Sequence, residues 1–132
     1  NYDDNRLYLL EGQFKAVETV ARLKKALAKR EIPLFAEFDH AKNAEEVGLS
    51  LRPTTVLVFG SPKVGTPLMN LDQSLALDLP LKIGVWEDEA GSTWVGFKRL
   101  AALGEEHELG ENPTLAAMEK LLKALAKEAA EI

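Results

Sequence analysis

The sequence predicts an α+β domain, with a mainly antiparallel sheet of about four to five strands and two long helices on one face. Two long segments, one early and one at the end of the chain, carry apolar residues at helical spacing. Short apolar or alternating runs lie between them, and two of these runs flank a glycine-containing turn, which is typical of a hairpin. The length of 132 residues suits a single domain over 1–132.

The composition excludes several classes of function. The net charge of −5 argues against nucleic acid or an anionic membrane as a partner, because both require a basic surface. The absence of cysteine excludes disulfides, a thiol nucleophile and zinc–thiolate sites. No apolar run approaches the ~20 residues of a membrane span, and the first residues lack the plan of a signal peptide. We therefore expect a cytoplasmic protein.

The first third of the chain predicts a strand, a helix and a second strand. Residues 7–10 are apolar and form the first strand. An amphipathic helix of about four turns follows and ends before Pro33. Residues 32–38 then alternate as a strand. The predicted apolar positions of the helix are Phe14, Val17, Val20 or Ala21, Leu23 and Leu27.

The middle of the chain centres on residues 54–69. Asp39 is placed to cap a short helix that ends at Gly48. Residues 54–59 follow as a nearly continuous apolar strand, which we place inside the sheet because both its faces favour burial. A loop with two glycines and two prolines comes next, and Asp72 is then placed to cap another short helix.

Residues 81–97 predict a hairpin whose register depends on the loop length. A three-residue loop with Gly91 in the left-handed conformation pairs Trp86 with Trp94. A four-residue loop places Trp94 opposite Val85 instead. We favour the first alternative because glycine adopts that conformation at little cost.

In the favoured register two glycines share a sheet face with the two tryptophans. Gly84 and Gly96 then lie beside Trp86 and Trp94 and leave a shallow apolar groove or a contact between subunits. The alternative is an ordinary core.

The last third predicts two helices. Residues 98–109 form the first, and the acidic run 105–111, which contains His107, is expected to be a solvated loop. The final helix begins at Pro113 with Asn112 as its cap. Its apolar positions, spaced by three and four residues, are Leu115, Met118, Leu122, Leu125 and Ala129.

Several motifs together resemble one known family. They are Phe-Asp-His-Ala at 38–41, Leu-Arg-Pro-Thr at 51–54, Phe-Gly-Ser-Pro at 59–62, Gly-Thr-Pro-Leu-Met at 65–69, Ala-Leu-Asp-Leu-Pro-Leu-Lys at 76–82 and Trp-Glu-Asp at 86–88. Their order and spacing are similar to those of the bacterial "domain of unknown function three-hundred-two" family. The resemblance covers about residues 7–97, which leaves 98–132 as a C-terminal helical extension.

The resemblance implies a fold and an assembly, but no reaction. Members of that family are small α+β proteins that form homodimers and have no assigned activity. The sequence departs from the family at Ser61, where Asn is frequent, and at Phe97, where Tyr is frequent. Any chemistry that depends on that amide or that phenol is therefore in doubt for this chain.

The loop 60–69 nearly matches a phosphate-binding loop. Gly60 and Gly65 have the right spacing, but the lysine that should follow the second glycine is missing and Pro67 removes a backbone N–H. A weaker anion site remains, with Thr66 capping a helix that starts at Pro67 and Lys63 adding positive charge. The alternative is that the glycines and prolines only shape tight turns.

His40 is the second candidate for chemistry. An imidazole beside a carboxylate can act as a general acid or base, here with Lys63, Ser61 or Glu37 assisting. Glu37, Asp39 and His40 can hold a metal only if the chain bends after the strand. The alternative is that Asp39 caps a helix and His40 has a structural role.

Three hypotheses follow from the sequence. The favoured one is a homodimer that binds a small ligand, an anion or a metal ion at the loop from Gly60 to Met69, near His40. The second is a small enzyme that uses His40 as its acid or base, and the third is a purely structural or interaction protein. No cofactor is identified. The predicted ligand-binding residues are His40, Gly60, Ser61, Lys63, Gly65 and Thr66.

Overall fold

A computed structural model of the chain describes residues 2–3 and 6–132, with side chains from residue 6 onward. The strands are β1 (Tyr2–Asp3), β2 (Leu7–Gly12), β3 (Leu34–Asp39), β4 (Thr54–Phe59), β5 (Leu81–Glu87) and β6 (Thr93–Lys98). The helices are α1 (Ala16–Lys29), α2 (His40–Glu46), α3 (Pro62–Leu71), α4 (Ala101–Glu106) and α5 (Pro113–Ala130), with a 3₁₀ helix at Gln73–Leu77.

The strands form one antiparallel sheet in the order β1-β2-β6-β5-β4-β3. The long helices α1 and α5 pack against each other, and both contact the sheet. This arrangement confirms the predicted α+β class. Strand β4 is internal, with β3 on one side and β5 on the other, as its apolar sequence predicts.

The core lies between one sheet face and the two long helices. Alternate residues of the internal strands point into it, so that Leu57 pairs with Ile83 and Val85 with Val95 across the ladder. Full burial of one such side chain contributes about 1.5–3 kcal/mol. The predicted apolar positions of α5 are all buried.

One position in the predicted apolar stripe of α1 is wrong. Val17 is 82% exposed, and the buried stripe runs through Ala16, Thr19 and Leu23. The hydroxyl of Thr19 donates to the carbonyl of Lys15 at 2.9 Å, so this polar side chain faces the core with its hydrogen bond satisfied. Leu23 and Leu27 are buried and Val20 packs against the core, as the apolar pattern predicts, so the correction concerns Val17.

The hairpin has the predicted three-residue loop. Trp86 pairs with Trp94, Gly84 with Gly96, and Gly91 has φ +85°. The Asp88 carboxylate holds the turn, since it accepts the indole N–H of Trp94 at 2.9 Å. That hydrogen bond is the main reason why the pKa of Asp88 lies below its usual value.

The second face of the sheet is only partly covered. Trp86, Trp94, Val56 and Val58 are half-buried on this face, and Phe38 is 47% exposed. The glycines beside the tryptophans form part of a groove of about 690 Å³ on this side. The predicted groove is therefore present, and the tryptophans do not belong to the buried core.

We expect Gly91→Ala to lower the free energy of unfolding by about 1–2 kcal/mol, because an L-residue is strained at this positive φ. Chemical denaturation followed by circular dichroism measures the change. Glu89→Ala, in the same loop and exposed, is the matched control and should stay within about 0.5 kcal/mol of the parent. Equal stability of Gly91→Ala and the parent would contradict the loop conformation.

Candidate functional site

A cavity of about 490 Å³ opens where β4 ends. Its walls come from the end of β4, from α3, from residues 76–81 and from α5. Most of the lining is apolar: Ile32, Phe35, Phe59, Pro62, Val64, Met69, Ala76, Leu79, Pro80, Leu81, Met118 and Leu121.

Two glycines help to build this cavity. A Cβ on Gly60 would lie 3.3 Å from the Pro80 side chain, so glycine lets the two segments approach closely at the strand end. A Cβ on Gly65 would meet only side-chain ends, Met69 at 3.8 Å and Leu79 at 3.9 Å. Gly65 therefore leaves space in the helical wall that a larger side chain would fill.

The polar side chains of the lining are hydroxyls. Ser61 and Thr66 contribute them, and the described part of the chain places no charged side chain in the lining. The N–H of Gly60 is already bonded to the Pro33 carbonyl at 3.3 Å. An apolar cavity with a few polar groups is the usual form of a site for small molecules.

The structure brings together part of the predicted ligand set. Gly60, Ser61, Gly65 and Thr66 all line the cavity, whereas Lys63 is exposed on α3 and does not.

The predicted helix start within the loop is wrong. Helix α3 begins at Pro62, so Thr66 is not its cap and Pro67 lies inside the helix. Proline suits the first helical position because its φ is fixed and it has no N–H to satisfy. The N–H groups of Val64 and Gly65 both bond to the Ser61 carbonyl, at 3.0 and 2.9 Å. The anion site proposed at Thr66 and Pro67 therefore loses its helix terminus.

His40 lies at the opposite end of β4 from the loop. The register pairs Asp39 with Thr55, close to the start of β4, whereas the loop begins after Phe59. At about 3.3 Å per residue, a strand of this length separates the two places by more than 10 Å. The antiparallel pairing therefore places His40 far from the loop, and the predicted proximity of the two is wrong.

The residues around His40 have structural partners. Asp39 caps α2 by accepting the N–H of Lys42 at 3.0 Å, as predicted. Glu37 forms an ion pair with Lys24 at 2.6 Å. The exposed ring of His40 lies 6.3 Å from that of Phe38. The structure does not gather Glu37, Asp39 and His40 into one metal-binding group.

A second cluster forms around His107, in the run that was expected to be a solvated loop. The imidazole is only 11% exposed. Its Nδ1 lies 2.6 Å from an Asp72 carboxylate oxygen, and its Nε2 lies 3.6 Å from Asp78. Glu106 completes the group, with a carboxylate oxygen within 4.8 Å of the ligand atoms of Asp78 and His107.

The cluster shifts two pKa values in opposite directions. Hydrogen bonds from Ser74 and His107 lower the pKa of Asp72 to about 2. The hydrogen bond to Asp72 is the main reason why the pKa of His107 lies above its usual value. Above pH 4 the Asp72 carboxylate is therefore ionised and accepts from His107.

The sequence predicts one part of the His107 cluster, the capping role of Asp72. Asp72 caps the 3₁₀ helix by accepting the Ser74 N–H at 3.0 Å, which is the role predicted for it. Its other carboxylate oxygen reaches His107, which is far away along the chain. Periodicity and capping rules describe local structure, so they carry no information on this contact.

The comparison with protein families settles the relationship of the chain. A model described as "Domain of unknown function DUF302" matches residues 11–127. The chain belongs to the DUF302 family. The match runs past Phe97 and includes most of α5, so it extends beyond the motifs that carry the sequence resemblance.

A solved DUF302 protein has the same fold. It is the crystal structure of an uncharacterized conserved protein from Bacillus stearothermophilus, which covers 93% of this chain and 97% of that one. The TM-score is 0.81 at 22% sequence identity. At this identity the likeness concerns the fold.

Curated relatives of this DUF302 chain carry a channel name. "Fluoride-specific ion channel FluC 1" of Brucella suis and its namesake in Brucella abortus are 35% identical over 107 residues. The match covers 81% of this chain but 42% and 40% of the two relatives, about two fifths of their length. Of the helices in residues 2–3 and 6–132, none has both the length and the apolar character needed to cross a bilayer.

We expect the His107 imidazole of chelator-treated protein to titrate above its usual pKa of 6.5, and Asp72→Asn to bring it back towards that value. The neutral amide removes the charge that stabilises the imidazolium. Histidine NMR across pH 4–9 measures both values. His40 is the internal control, because the chain has two histidines and Asp72 contacts only His107 among them.

The same pair predicts how stability depends on pH. The contribution of Asp72 is present above its unfolded pKa of about 4 and is lost as pH falls towards 2. The contribution of His107 is present below its unfolded pKa of about 6.5 and is lost as pH rises through the higher folded value. Asp72→Asn should therefore cost most stability between about pH 4 and 6.5. A deficit independent of pH would contradict the ion pair.

Proposed function

We propose that this DUF302 protein binds a small apolar molecule in the cavity at residues 60–69. The observation that carries the proposal is an apolar cavity of about 490 Å³ whose polar side chains are the hydroxyls of Ser61 and Thr66. Sites for small ligands usually occupy 300–1,000 Å³ and combine apolar walls with a few polar groups. The favoured ligand class is an apolar skeleton with one group that hydrogen-bonds to a hydroxyl.

The lining favours binding over catalysis. General acid–base chemistry requires a titratable group within about 3 Å of the substrate, or one water away. The described lining contains no acid, base or histidine, and His40 lies at the other end of β4. These observations support a binding protein over the small enzyme that the sequence allowed.

Fluoride does not suit this cavity. The channel name belongs to the Brucella relatives, and this chain spans only about two fifths of their length. A small, strongly hydrated anion needs positive charge or several converging N–H groups to replace its water. The described lining holds no cation, and the N–H groups of Gly60 and Gly65 already have carbonyl partners. The proposal therefore rests on the cavity and not on the channel name.

The two methionines of the chain provide a direct measurement. Met69 and Met118 both line the cavity, and the sequence holds no other methionine. We expect 1-naphthol or n-octanol to shift both methyl signals in NMR spectra of methionine-methyl-labelled protein. Gly65→Leu fills the cavity and should weaken binding at least about tenfold, a loss of about 1.4 kcal/mol.

The control separates filling of the cavity from damage to α3. Lys63→Ala changes an exposed residue of the same helix and should leave both the shifts and the affinity unchanged. Gly65→Leu should remain folded, because leucine has a higher helix propensity than glycine by roughly 0.8 kcal/mol. Methionine signals that respond to neither probe, or equally in Gly65→Leu and the parent, would refute the proposed site.

We also propose that two copies of the chain associate through the partly covered sheet face. The family resemblance implies a homodimer, and this face presents an apolar surface: Phe38, Val56, Val58, Trp86 and Leu9 are half-buried or exposed on it. A two-fold contact uses the same patch on both copies, so one apolar face is sufficient. Exposed apolar patches are a common mark of such interfaces.

We expect the parent protein to be a dimer in light scattering, and Phe38→Glu to be a monomer because a charge would be buried in the interface. Val17→Glu is the matched control. Val17 is 82% exposed on α1, on the opposite side of the sheet, so this variant should remain dimeric. A monomeric parent, or a Phe38→Glu variant that stays dimeric, would overturn the proposal.

A further inference from the structure

The geometry points to a divalent-cation site formed by His107, Asp78 and Glu106, separate from the apolar cavity. We propose that the ligands are the Nε2 atom of His107 and one carboxylate oxygen from each acidic residue, with Asp72 as a positioning residue. The ligand atoms lie within 4.8 Å of one another. They come from α4, from the residue after α4 and from the residue after the 3₁₀ helix, so a cation would link two segments.

The orientation of the His107 imidazole leaves Nε2 available to a cation. The Nδ1 atom of His107 donates to Asp72 at 2.6 Å, and the Ser74 hydroxyl lies 3.3 Å from the same nitrogen. The proton of the neutral ring is therefore held on Nδ1, which leaves the lone pair on Nε2. Histidine ligands of metals almost always have their other nitrogen engaged in this way by a carboxylate, a carbonyl or water.

Asp72 is itself held in place. Its Oδ1 atom accepts the Ser74 hydroxyl at 2.7 Å and the Ser74 N–H at 3.0 Å, while its Oδ2 atom faces the imidazole. Both carboxylate oxygens of Asp72 thus have partners within the protein. Asp72 orients the ring, and Asp78 and Glu106 remain as the candidate oxygen ligands.

The separation of Nε2 from Asp78 is close to that between two ligands of one metal ion. The distance from Nε2 to Asp78 is 3.6 Å, which is longer than a hydrogen bond. Two ligands at about 2.0–2.1 Å from a tetrahedral ion lie about 3.4 Å apart. Asp78 and Glu106 are exposed, so their side chains are free to adjust around an ion, whereas the imidazole is only 11% exposed and positioned.

The donor set and the charge indicate the class of cation. One imidazole nitrogen and two carboxylate oxygens suit Zn²⁺ or Mn²⁺, with water at the remaining positions. The cluster holds three carboxylates around one imidazole, and a dication offsets most of that charge when the ring is neutral.

Zn²⁺ titration of chelator-treated protein by calorimetry at pH 7.5 tests the proposal. We expect one site per chain, with the His107 ring signals shifted in NMR spectra and those of His40 unchanged. Glu106→Gln and Asp78→Asn should each weaken Zn²⁺ binding at least about tenfold. Asp72→Asn should weaken it about 10–100-fold, the usual effect of losing such a partner.

The matched control is Glu105→Gln, which removes the same charge from the adjacent exposed position of α4 and should leave the affinity unchanged. Thermal unfolding without metal verifies that each variant is folded. The proposal is overturned if Zn²⁺ and Mn²⁺ do not bind below about 1 mM. It is also overturned if Glu105→Gln weakens binding as much as Glu106→Gln, or if His40 responds in place of His107.

Discussion

The pairing of β5 with β6 is the constraint on which the rest of the domain depends. A slip of one residue would turn every side chain of a strand to the other face. The three-residue loop that ends at Gly91 places Val85 opposite Val95 beneath the long helices and leaves the tryptophans on the other side. The same hairpin positions α1, because the carboxylate of Glu87, the last residue of β5, accepts the N–H of Ala16 at 3.0 Å.

The antiparallel sheet also separates the two places where the sequence suggested function. Strand β4 enters the sheet beside Asp39 and leaves it at Phe59, which is fully buried. Gly60 follows its last residue and lines the cavity, whereas its first residues lie beside the end of β3, from which the chain continues into α2. The two predicted candidates, His40 and the loop 60–69, therefore lie at opposite ends of one strand.

Local rules predicted the elements that local chemistry determines. The cap at Asn112, the apolar stripe of α5 and the hairpin register all follow from residues within a few positions of one another. The loop 60–69 was found for the same reason, because glycine and proline mark where a strand must turn. What the sequence did not show depends on distant partners: the start of α1 uses Glu87, and the setting of His107 uses Asp72.

The short 3₁₀ helix Gln73–Leu77 lies between the His107 cluster and the apolar cavity. The residues on either side of it, Asp72 and Asp78, face His107, while Ala76 and Leu79 face the apolar cavity. Any occupant of one side that stiffens this segment reduces the entropy that an occupant of the other side must remove. Linkage would then make the effect reciprocal, so that a bound cation and a bound apolar ligand would change each other's affinity by the same factor. A segment of five residues would thus couple cation binding to the binding of an apolar ligand without a change of fold.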